Sequence, residues 1–193
     1  MANPELYAVF PFRLIGLGKP DLEAGRETYA RRRFPGNNGW RQDETQAAFL
    51  GLTEVARKGL VERFSTKHPG SRFPAFWGPN FDWIPDQDHG CNGLMALQAM
   101  LLQSDGADLR LFPAWPPDRE VEFRLNAPMK TVVEGVYTKG KVPDWSVSSE
   151  QRRGSVILNA DLKRITSPRV LYDTDPSPLQ PLAPLLSRGR DPR

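Results

Sequence analysis

Apolar residues follow two different periods along this chain. Before about residue 105 they recur at helical spacing, and from Leu109 they alternate with polar residues as in half-buried strands. Residues 1–18 mix apolar side chains with Pro4, Pro11, Gly16 and Gly18, which predicts an irregular segment with at most a short helix. Pro20 and Asp21 open a helix to about Phe34, since proline is tolerated in a first turn and Asp21 and Glu23 suit its positive end. The run Pro35-Gly36-Asn37-Asn38-Gly39 breaks it. A second helix is predicted from about Gln42 to Leu50. A third runs from Thr53 to about Thr66, with Leu52, Ala56, Leu60 and Phe64 four apart on one face. A fourth, Gly93 to Gln103, is apolar on most sides and is expected to be buried.

The alternating half predicts strands at Leu109–Leu111, Val121–Leu125, Thr131–Thr138, Val142–Ser148 and Gly154–Leu158, with Lys139-Gly140-Lys141 as a hairpin turn. Trp115, bracketed by Pro113, Pro116 and Pro117, reads as a packing plug between helices and sheet. Helices first and strands afterwards give a mainly α chain followed by a small antiparallel β domain. The expected units are a helical part (1–106), a small β-sheet domain (107–160) and a proline-rich tail without regular structure (161–193).

Composition narrows the function classes. A chain of 193 residues can bury a real core, and its 39% hydrophobic and 25% charged residues are near globular values. The net charge of +3 comes without a basic stripe, so nucleic acid is not an expected partner. No run reaches the apolar length of a membrane span, and the N-terminus shows no secretory signal pattern. The single cysteine, Cys91, excludes an internal disulfide and reads as a small residue at a helix start.

The chemistry gathers between Ser71 and Gln103. An aromatic, proline-stiffened loop carrying Phe73, Phe76, Trp77, Phe81 and Trp83 delivers Asp86, Asp88 and His89 to the start of the fourth helix. One of the two aspartates can cap that helix, and one can act as a general base; the two roles are compatible if they are divided. Asp86, Asp88 and His89 together are enough ligands for a metal, although their spacing matches no specific metal motif. Trp40, Trp77 and Trp83 stand among Asn37, Asn38, Gln42, Asn80, Asp82 and Gln87. Such a set either packs a core or stacks sugar rings while amides and carboxylates meet the hydroxyls. Neither a nucleophile elbow nor a phosphate loop nor a zinc motif is present.

Residues 4–158 resemble the C-terminal part of bacterial (α/α)6-barrel glycoside hydrolases, nearest glycoside hydrolase family 95, the α-L-fucosidase group. The likeness rests on Met100-Leu101-Leu102-Gln103-Ser104 ending a helix, followed by Leu111-Phe112-Pro113-Ala114-Trp115-Pro116 leading into a β domain. Counting back from that helix sets Asp88 on the aspartate of the family's D-G-N-F-G motif, here Asp88-His89-Gly90-Cys91-Asn92. The resemblance implies a partial (α/α)6 toroid and hydrolysis of O-glycosidic bonds with Asp88 as general base. It implies a sugar pocket lined by Trp40 (in Gly39-Trp40, like the family's T-G-W), Trp77, Asn80, Trp83, Asp86 and His89. No cofactor or metal is implied. Family members are often periplasmic or secreted. The acid glutamate and the early barrel hairpins have no counterpart here, so the isolated chain is expected to be inactive, with the missing N-terminal part of the enzyme as partner. The alternative is a non-catalytic carbohydrate-binding or interaction module on the same scaffold.

Overall fold

The computed structural model describes residues 3–37, 39–65, 88–158 and 163–164, the backbone alone at residues 88, 89, 150, 153, 163 and 164. The expectations placed on Trp77, Asn80, Trp83 and Asp86, on the side chains of Asp88 and His89, and on the tail lie outside what is described. Among the described residues the fold is mixed α/β, with four α-helices followed by two small sheets. A short 3-10 turn, Pro4–Ala8, precedes α1 (Leu22–Ala30), α2 (Asp43–Phe49), α3 (Thr53–Ser65) and α4 (Asp88–Leu101).

α2 and α3 fall where the periodicity predicts, whereas α1 stops at Ala30, short of the expected Phe34. Beyond its end Arg32 turns back, donating to Tyr29 O (2.7 Å) and pairing with Asp43 (2.7 Å). α4 starts at Asp88, five residues before the predicted Gly93. Glycine here is a packing residue rather than a breaker: a Cβ on Gly93 would stand 2.3 Å from Phe64 Cζ and 3.2 Å from Arg63 Cδ. The expected full burial of α4 is corrected too, since Leu94 and Met95 are exposed.

α4 passes directly into β1 (Leu102–Asp105), a strand the helical pattern concealed. The buried Gln103 amide fixes that junction by donating to Ala99 O and Ala48 O, both at 2.9 Å. β1 pairs antiparallel with β2 (Asp108–Leu111). β3 (Val121–Ala127), β4 (Thr131–Thr138) and β5 (Lys141–Val147) form an antiparallel meander. Its second turn is Lys139-Gly140, both at positive φ, as a two-residue hairpin requires. The β half is not wholly antiparallel. After a 3-10 turn, β6 (Val156–Leu158) returns parallel to β2, and β7 (Lys163–Arg164) adds to its far side.

Two cores result. Leu6, Val9, Tyr29, Ala47, Leu50, Ala56 and Met100 fill the helical one; Leu109, Leu111, Phe123, Val133, Trp145 and Val156 fill the one between the sheets. Trp115 packs against both, the plug its proline bracket predicts. Among the described residues no helix is long and apolar enough to cross a membrane.

Candidate functional site

α2 is buried along its whole length, including its two acids. Glu44 pairs with Arg63 of α3 through two parallel bonds, Nε to Oε1 at 3.1 Å and Nη2 to Oε2 at 3.2 Å. Both side chains are sealed from solvent. Such a pair persists because its geometry is bidentate and its remaining donors are used. Arg63 Nη1 donates to Gly39 O (2.9 Å) and Nη2 to Arg41 O (2.6 Å). Asp43 fixes the preceding turn, pairing with Arg32 and accepting from Gly36 N (3.1 Å). Asn37 donates to Gly59 O (3.2 Å), and Asn3 exchanges two bonds with the backbone of Phe34, both 2.9 Å.

Trp40 sits between the two carbonyls that Arg63 holds, yet it is 67% exposed. A large aromatic ring left in solvent on a fixed backbone is the opposite of the core reading. It borders a pocket of about 490 Å³ with Tyr7, Phe12, Arg41, Gln42 and Gln46. That volume lies in the range of small-molecule sites, and the mixture of apolar walls with a few polar groups is what such sites use to orient a ligand. Arg41, on the lining, has a buried Nη2 without a hydrogen-bond partner among the described residues. Asp43, the carboxylate on the lining, is engaged by Arg32 and Gly36 N. The pocket is therefore of a size to take a small molecule, and among the described residues its lining offers no carboxylate free to activate water.

α4 approaches the arginine that holds the Trp40 segment. Gly93 lies against Arg63, and Asp88 is five residues earlier, about 7.5 Å along the axis. Of the expected site residues, then, Trp40 lines the pocket and Asp88 and His89 open the helix that adjoins its anchor. Tyr7, Phe12 and Gln46 were missed in the sequence. Tyr7 and Phe12 lie in a segment without periodicity, and nothing in the local sequence sets Gln46 apart from any other polar residue of a helix. Among the described residues no group of three His, Cys, Asp or Glu is placed to hold a metal ion. Cys91, in the first turn of α4, is exposed.

No protein-family model matches the chain, and a search of curated proteins finds no match.

Proposed function

We propose that the chain binds carbohydrate at the Trp40 pocket and is the C-terminal part of a glycoside hydrolase in which Asp88 is the general base. One observation carries the binding half: the indole of Trp40 stays in solvent while the carbonyls on both sides of it are fixed by a buried arginine. Pre-ordering a ring platform in this way lowers the entropy lost when a sugar stacks on it. Arg41, Gln42 and Gln46 supply hydrogen-bonding groups for the ring hydroxyls. What supports the catalytic half is the resemblance around Asp88 and the approach of the Asp88 helix to Arg63. Hydrolysis with inversion needs a second carboxyl group across the bond. In this reading it comes from outside the chain, and α2, α3 and α4 are the last hairpins of a toroid.

A second reading, a non-catalytic sugar-binding module, is favoured by the engagement of Asp43. Calorimetric titration against a panel of oligosaccharides tests the binding half: Trp40→Ala should abolish the heat of binding. Asp88→Asn in the complete enzyme separates the two readings. Loss of hydrolysis with binding retained supports a base, and unchanged hydrolysis removes that role from Asp88.

A further inference from the structure

A second crevice, of about 270 Å³, opens between the N-terminal segment, α2, α4 and β3, and shares no lining residue with the Trp40 pocket. Phe10, Phe49, Met95 and Leu125 form its apolar walls, and Arg13 and Thr45 stand on its lining. Thr45 is 1% exposed, and its hydroxyl has no hydrogen-bond partner among the described residues. A helical threonine ordinarily bonds the carbonyl four residues back. Here that carbonyl is Arg41 O, which accepts from Arg63 Nη2 and not from Thr45.

Arg13 is similarly unsatisfied. Among the described residues its buried Nε has no partner, and its guanidinium carbon stands over the Phe49 ring, 3.7 Å from the centroid. Phe49 in turn stacks on Phe10. The neighbourhood has more cations than anions: Arg13, Arg110 and Lys19 surround Asp105, whose carboxylate is taken by Lys19 at 2.8 Å. Arg110 Nε is also buried without a partner among the described residues. Burial and the nearby Arg110 both disfavour the charge on Arg13, and Asp105 favours it. The backbone of Arg13 is left-handed, φ 55°, a conformation a residue with a side chain holds only at a cost.

We propose that this crevice binds a small carboxylate with an apolar body, the Arg13 guanidinium taking the carboxylate edge-on and the Thr45 hydroxyl donating to it. A guanidinium stacked on an aromatic face keeps its N–H edges for a planar, two-oxygen partner. The aromatic and aliphatic walls then cover the body of the ligand, which a bare inorganic anion lacks.

Benzoate titrated into the full chain tests this, read by the Arg13 Nε–H signal in ¹⁵N–¹H spectra and by melting temperature. The expected result is a saturable shift of that signal with a rise in melting temperature. Arg13→Asn, which tolerates the left-handed backbone, should abolish both effects. Thr45→Val should weaken binding about tenfold without lowering the melting temperature of the free protein, because it removes an unsatisfied buried hydroxyl. An unmoved Arg13 signal at saturating benzoate, or full binding by Arg13→Asn, would overturn the site. Inorganic phosphate that saturates the signal where benzoate does not would overturn the apolar-body assignment.

Discussion

Arg63 and Glu44 form a fully buried, two-bonded ion pair, and the other donors of Arg63 hold the carbonyls on either side of Trp40. One interaction therefore joins α2 to α3 and fixes the rim of the pocket. Removing one partner leaves a buried charge alone. Arg63→Met or Glu44→Gln should each cost about 3–5 kcal/mol in urea denaturation. The double change Arg63→Met with Glu44→Leu should recover part of that loss but not sugar binding. Equal stability of the single variants and the parent would show that the pair does not organise this end of the fold.

Two helical glycines should respond oppositely to alanine. A Cβ at Gly59 would stand 2.7 Å from Glu44 Cγ, and Glu44 cannot retreat while Arg63 holds it. Overpacking outweighs the gain in helix propensity, so Gly59→Ala should destabilise by about 1–3 kcal/mol. Among the described residues nothing stands within 4 Å of a Cβ added at Gly90, and Gly90→Ala should stabilise by roughly 0.5–1 kcal/mol. Chemical denaturation of both variants checks the pair.

Arg152 staples the two sheets. From a buried position it donates to Ala107 O, Pro128 O, Gly106 O and Ser104 Oγ at 2.8 to 3.2 Å, joining the β1–β2 turn to the β3–β4 turn. Burial lowers its pKa, against the pull of Asp108. Lysine keeps the charge but cannot span this fan of carbonyls, so Arg152→Lys should cost roughly 2–3 kcal/mol. Faster hydrogen exchange in both turns would accompany the loss.

Tyr29 gives the fold an alkaline limit. Burial pushes its phenol up, Asp43 and Glu44 add to this, and Arg32 opposes it. The unfolded chain loses this proton first, near pH 10, while the folded chain keeps it. Stability should therefore be fully present below about pH 10 and fall as pH rises beyond it. Tyr29→Phe should flatten that part of the stability curve, and an unchanged slope would assign it to another group.

Much of this was legible in the sequence where a single period dominates. α2, α3, the Lys139-Gly140 hairpin and the Trp115 plug follow from local pattern. The start of α4 does not, because Gly90 and Gly93 resemble breakers until Phe64 and Arg63 are seen filling the space at Gly93. β1 does not either: the apolar run through Leu102 reads as helix, and only the Gln103 amide, bonded across to Ala48, marks the change. Parallel pairing of β6 with β2 spans over forty residues and leaves no local signal. At the site, Trp40 stood out by its company of Asn, Gly and Gln. The arginine that positions it was indistinguishable from any helical surface arginine, since burial of a charge is a property of the tertiary partner.

The central claim, a sugar seated on Trp40, is tested most directly by the indole N–H signals of the five tryptophans during titration with oligosaccharides. The account predicts a saturable shift of the Trp40 signal with at least one sugar, and its absence, together with loss of binding, in Trp40→Ala of unchanged melting temperature. A Trp40 signal that stays fixed while a sugar binds, or sugar affinity retained by Trp40→Ala, would contradict it.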